Sequence, residues 1–145
     1  MIRFIADNVQ MPSLVAEKES VLARWIQRVA AGYGFAIGEI TYILCDDEKI
    51  LQTNRQFLQH DYYTDVITFD YSSSTVLNGD IFISLDTVSS NAQEAETSFD
   101  NELSRILIHG VLHLTGQGDK TPLSKAEMTR KENKALAELE TMNCQ

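Results

Sequence analysis

The sequence predicts an α+β fold, a single layered domain with a mixed sheet of about four strands packed with about five helices. Three observations carry that prediction. Short runs alternate or are rich in β-branched residues, as strands are. Longer runs place apolar residues at helical spacing. Two of the strand runs follow each other with no helix between them, which suggests a hairpin and an antiparallel pair in the sheet. The length, 145 residues, suits one sizeable core, and 43% hydrophobic with 23% charged residues is ordinary for a soluble globular chain.

Taken in order, IRFIAD (2–7) alternates like a short strand. From Ser13 to about Ala31, Leu14, Val15, Val21, Leu22, Trp25, Ile26 and Val29 recur at helical spacing, with Pro12 just before and Gly32 and Gly34 past the end. EITYILCD (39–46) reads as a buried strand. Asp46 or Asp47 can cap the helix EKILQTNRQFL (48–58), whose inner face is expected to hold Ile50, Leu51 and Phe57. HDYYTD (60–65) is a loop before the strand VITFDY (66–71). Residues 72–79 read as a connection with a turn at Asn78-Gly79, leading to the strand DIFISL (80–85). A short helix is expected over 86–96. Thr97 or Ser98 caps a helix over 99–115 that Gly116 stops. Pro122 and Ser124 open a last helix, 125–142, whose charges fall mostly on one face.

The charge pattern narrows the function. The formal net charge is −9 and the pI about 4.7, which argues against a broad basic face gripping nucleic acid but leaves room for a local basic patch. The best such patch is Lys18, Arg24 and Arg28 on the first helix, joined by Arg3 and Arg55, and a simple solvated helix face is the alternative. No apolar run approaches the roughly 20 residues that span a bilayer, so no membrane role is expected. Cys45 and Cys144 form no C-x-x-C pair or disulfide framework, and a reducing cytoplasm is the expected location.

The chemistry concentrates in HGVLHLTGQGDK (109–120). On a helix, positions four apart lie on one face, so His109 and His113 aim both imidazoles at one spot. Gly116 can take the left-handed turn that ends the helix, and the chain can reverse over Gln117 and Gly118 to return Asp119 there. Two nitrogens and one carboxylate oxygen make three ligands with a fourth position open, the arrangement of catalytic zinc, one ion per chain. A water in such a site can lose a proton near neutral pH. Paired core histidines are the alternative, because Ile106, Leu107, Val111, Leu112 and Leu114 make this helix apolar on most sides. Two histidines and a carboxylate also suit iron(II), which needs more open positions.

These residues resemble the YbeY family of bacterial endoribonucleases, whose usual pattern is H-G-x-L-H-L-x-G-x-x-H. HGVLHLTGQGD follows it except at the last position, where Asp119 stands in place of the third His. Upstream, LQTNRQFLQHDYYTDVITF (51–69) resembles the family segment L-N-x-x-Y-R-x-K-D-x-P-T-D-V-L-S-F and keeps Asn54, Asp61, Thr64, Asp65, Val66 and Phe69. Gly79, Asp80 and Ile81 match a further family motif, so the likeness runs from about residue 40 to 122. The resemblance implies a zinc-dependent hydrolase that cuts single-stranded RNA in ribosomal RNA maturation and ribosome quality control. Its implied partners are ribosomal RNA or the small ribosomal subunit, with no DNA expected. The metal ligands carried over are His109 and His113, and Asp119 by position.

Two departures bear on mechanism. The family's Arg is Leu58 here and its Lys is His60. Arg55, three residues before Leu58, can supply a cation for phosphate, and His60 can contact phosphate or shuttle a proton. A solvated loop histidine is the alternative for His60. Thr64 and Asp65 read best as turn-capping residues, and Asp80 as structural or as the orienting partner of a ligand histidine. Proteases of the H-E-x-x-H type use the Glu as general base, and Gly110 fills that place. A metallopeptidase-like hydrolase without this base and a non-catalytic ribosome assembly factor remain as alternative functions.

Overall fold

The computed structural model describes residues 1–58 and 66–143. The chain runs β1 (Ile2–Ala6), α1 (Ser13–Gly32), β2 (Ala36–Cys45), α2 (Asp47–Thr53) with a π-helical turn (Asn54–Leu58), β3 (Val66–Asp70), β4 (Val76–Ser84), α3 (Leu85–Glu94), α4 (Phe99–Leu114) and α5 (Pro122–Asn143). The order of strands and helices is the predicted one. The sheet order is β1-β2-β4-β3, with β1 parallel to β2, β2 parallel to β4, and β3 antiparallel to β4. The fold is therefore α+β with a mixed four-stranded sheet and five α-helices among the described residues.

Alternation along the strands sorts side chains to two faces. Ile40, Tyr42, Leu44, Leu77, Ile81 and Ile83 turn to one face and are fully buried in the main core with Leu22, Trp25 and Ile26 of α1 and Leu103, Leu107 and Val111 of α4. Met128, Ala135, Leu139 and Met142 extend that core onto α5. Two polar anchors fix the layers. Trp25 Nε1 donates to the Ala135 carbonyl at 2.7 Å, tying α1 to α5. Tyr42 Oη donates to the Leu107 carbonyl at 2.7 Å, tying the sheet to α4 two residues before His109. Burial pushes the Tyr42 phenol far above its ordinary pKa, so it remains a donor. The opposite face carries a smaller cluster, Cys45, Ile50 and Ile67 with partly buried Phe69 and Phe82.

Helix ends follow the residues expected to cap them. Asp46 accepts from the Lys49 amide at 2.9 Å, and Ser98 from the Asn101 amide at 3.0 Å. Two local expectations are corrected. Asn78-Gly79 is not a turn but lies inside β4; the chain reverses at Ser73–Val76, with Ser74 at φ 34°. The Asn78 side chain is used instead as an acceptor for the Glu39 amide at 2.8 Å, where the β2–β4 register shifts. A Cβ on Gly79 would stand 2.7 Å from the Phe69 carbonyl, so this glycine permits close strand approach. Phe57, expected on an inner face, is 60% exposed. The π turn takes an extra residue and rotates the following positions out of the α-helical phase. Its ring keeps an edge contact with Phe69, centroids 5.9 Å apart.

Candidate metal centre

Helix α4 sets the first two groups of the site. It lies close on the sheet because residue 110 has no side chain: a Cβ there would meet Ile81 at 3.0 Å. That position faces the sheet, while His109 and His113 are only half-buried at the helix surface. Position 110 is therefore a packing position, and a glutamate there would have to enter the core. The imidazole centroids are 4.5 Å apart with planes at 85°.

The helix ends as its sequence requires. Gly116 adopts φ +100° with no neighbour near the place of a Cβ, so conformation and not space calls for glycine. The Gly116 amide donates to His113 O at 2.9 Å and the Gln117 amide to Leu112 O at 3.1 Å, the paired bonds of a Schellman ending. The Gln117 side chain donates to Ser124 O at 3.3 Å and ties the turn to the start of α5. This reversal returns Asp119, whose Oδ2 is 3.5 Å from His109 Nε2 and 3.3 Å from His113 Nε2. One ligand atom from each of the three residues lies within 4.8 Å of the others, close enough for one ion.

The donor set fits a divalent cation. Two imidazole nitrogens and a carboxylate oxygen are borderline ligands of the kind zinc accepts, at three positions. Side-chain exposure falls from 32% at Asp119 and 29% at His113 to 19% at His109, so the solvent side of the triad lies toward Asp119 and His113. A cleft of about 330 Å³ opens beside His113, lined by Val66, Thr68 and Asp70 of β3 and by Leu114. Another, about 210 Å³, borders His109 and Asp119 and includes Arg105, Lys125 and Thr129. Among the described residues a larger cleft, about 560 Å³ between α1, α4 and α5, includes no triad residue; ligand chemistry, not size, marks the site.

Of the other residues singled out in the sequence, Arg55 is exposed on the π turn and lines neither cleft beside the triad among the described residues. His60, Thr64 and Asp65 lie outside the described residues. Asp80 bonds the Tyr71 phenol, whose pKa is raised by desolvation and by the Asp80 charge, and among the described residues no bond joins it to His109 or His113. The sequence reading missed Glu132 and Arg105. Glu132 Oε2 is 2.5 Å from His109 Nδ1, and Arg105 Nη1 donates to Glu132 Oε1 at 3.0 Å. A signal was available, since Glu132 falls on the buried stripe Met128, Ala135, Leu139, Met142. A carboxylate on an apolar stripe demands a partner.

A half-buried His-His-Asp triad carried by one helix and its terminal turn, beside the mixed sheet of an α+β fold, has the residues and spacing that could hold one metal ion. The family model described as Endoribonuclease YbeY matches residues 5–140. The chain belongs to that family, whose members are nucleases acting on phosphodiester bonds. Proteins named Endoribonuclease YbeY are 53% identical over 137 residues in Phocaeicola vulgatus and 52% identical over 136 residues in Bacteroides thetaiotaomicron, each alignment covering 94% of this chain and 97% of the relative. The relative from Porphyromonas gingivalis strain W83 is 47% identical over 138 residues, 95% of this chain and 89% of its own. The solution structure of TM1509 from Thermotoga maritima superposes with a TM-score of 0.69 at 28% identity, covering 96% of this chain and 89% of that one.

Proposed function

We propose that residues 1–145 form a single hydrolase domain, a zinc-dependent, single-strand-specific endoribonuclease. In this reading the protein acts in the cytoplasm, in ribosomal RNA maturation and ribosome quality control, on ribosomal RNA or the small ribosomal subunit. The observation that supports it is the convergence of three ligand atoms within 4.8 Å beside a surface cleft, in a chain of the YbeY family. His109 and His113 offer Nε2 and Asp119 offers Oδ2 to one zinc ion. Bound there, zinc supplies Lewis-acid polarisation of a phosphoryl oxygen and a water acidified toward neutral pH. Arg55 is assigned to the phosphate charge and His60 to phosphate contact or proton transfer.

A peptidase reading would need a base, and the position that supplies it in H-E-x-x-H enzymes is occupied here by Gly110 against Ile81. The test is elemental analysis of tag-free protein purified without chelator or added metal, followed by assays on single-stranded RNA, duplex RNA and casein. About one zinc per chain and cleavage of single-stranded RNA alone is the expected result. Folded His113→Ala is expected to lose both metal and cleavage, by about 100-fold or more in rate. No zinc uptake would overturn the metal reading, and His113→Ala that still supports ribosomal RNA processing would favour a non-catalytic assembly factor.

A further inference from the structure

Glu132 reaches the triad from a second helix, and its surroundings constrain what it does. It lies on the stripe of α5 that faces the core, between Met128 and Ala135, with only 9% of its side chain exposed. A carboxylate in such a place costs several kcal/mol unless paired, and an apolar residue of similar volume would fit the stripe at least as well. Glu132 is fully engaged: Oε1 accepts from Arg105 Nη1 at 3.0 Å and Oε2 stands 2.5 Å from His109 Nδ1. Arg105 is itself held, its Nη2 donating to Asn133 Oδ1 at 2.8 Å. It precedes His109 by one helical turn, so α4 presents both residues to the same carboxylate.

The proton assignment follows. An ionised carboxylate only accepts, so His109 carries its hydrogen on Nδ1, and in the neutral ring Nε2 is left as a lone pair. Nε2 is the atom 3.5 Å from Asp119 Oδ2. Among the described residues, no side chain is hydrogen-bonded to His113 Nδ1, so the two histidines are held unequally. We propose that Glu132, braced by Arg105, is a positioning residue that fixes the tautomer and ring plane of His109 and so delivers its Nε2 to the metal ion. The proposal rests on the reading of His109, His113 and Asp119 as a metal site.

Zinc affinity by chelator competition and the ring-nitrogen NMR shifts of His109 in zinc-free protein separate positioning from packing. Glu132→Leu completes the apolar stripe but takes one partner from Arg105, which is 28% exposed and keeps Asn133, so the variant is expected to fold with a melting temperature lowered by several degrees. Its zinc affinity is expected to fall about 10–100-fold, and the His109 signature to shift from hydrogen on Nδ1 toward Nε2. Arg105→Met is expected to lose several-fold. Should Glu132→Leu fail to fold, Glu132→Gln keeps the shape and an acceptor oxygen but loses the charge, and a loss of about 3- to 10-fold is expected of it. Unchanged affinity in a folded Glu132 variant overturns this proposal and leaves the metal site standing. Absence of zinc binding by the wild type overturns the metal reading and this proposal together.

Discussion

The two faces of the sheet are built differently. One supports a deep core from α1, α4 and α5, with Tyr42, Ile81 and Leu107 fully buried and two hydrogen bonds from aromatic side chains pinning the layers. Among the described residues the other carries a cluster of three buried hydrophobic residues, Cys45, Ile50 and Ile67, edged by partly buried rings. The histidines stand on the helix that the thick face holds. A metal site needs ligand atoms fixed to within about half an ångström, and that precision comes from rigid, well-packed elements.

The largest effect that would break this contrast is at Gly110. Gly110→Glu drives a charged side chain into Ile81 and the core, combining overpacking with burial of an unpaired carboxylate. A loss on the order of 4 kcal/mol or more is expected, read by chemical denaturation or as insoluble expression. If the variant instead folds with near wild-type stability, position 110 is not clamped and its glycine has another cause.

Next in size is a matched pair of truncations. Leu107→Ala, in the thick core, is expected to cost about 3–5 kcal/mol. Ile67→Ala, in the thin cluster, is expected to cost about 2–3 kcal/mol, because partly buried Phe69 and Phe82 can close over the space. Urea titrations of both variants give the comparison. Equal losses would mean that the smaller cluster is as rigid as the main core.

The same contrast explains what was legible in the sequence. The order of elements, the shared helix face of the two histidines and, at two helix starts, one of the two capping residues offered (Asp46 and Ser98) were legible, because each rests on local periodicity or on a side chain bonding a near amide. The return of Asp119 was also legible, from a glycine that must leave the helix. The misplaced features are tertiary. Asn78-Gly79 is a good turn pair locally, yet Asn78 serves β2 and Gly79 admits the Phe69 carbonyl. Phe57 has helical spacing, but the π turn breaks the phase. Glu132 was not singled out, because its partners, Arg105 and His109, are 27 and 23 residues away in the chain.

A smaller effect concerns pH on the thin face. Burial, reinforced by the charges of Asp46 and Asp7, pushes the Cys45 thiol from 9.0 up to about 12. The unfolded chain therefore releases this proton first. The folded state's advantage is complete below about pH 9 and is lost progressively as pH rises toward 12. Between pH 9 and 11 the wild type should lose more stability than Cys45→Ala, measured as the difference in denaturation midpoint. Parallel losses would show that the thiol ionises without opening the cluster.

The smallest expected effect lies on the outer surface of the thick side, where α1 meets α5. Arg24 and Arg28 are exposed four residues apart on α1, and Lys131 and Lys134 of α5 border the same shallow hollow as Arg28 and Tyr33. Lys131 Nζ sits 4.8 Å over the Tyr33 ring. Arg3, which the sequence grouped with these cations, pairs instead with Glu39 at the β1–β2 edge, and Lys18 donates to Asn143. In a chain of net charge −9, this gathered set is a local exception that an RNA backbone can use. Arg24→Glu should slow RNA cleavage by a few-fold at low salt, with the deficit shrinking as salt screens the contact and with zinc content unchanged. Equal cleavage at low salt would remove the patch from RNA binding. Lost zinc would mean that the outer helix surface and the triad are coupled through the core between them.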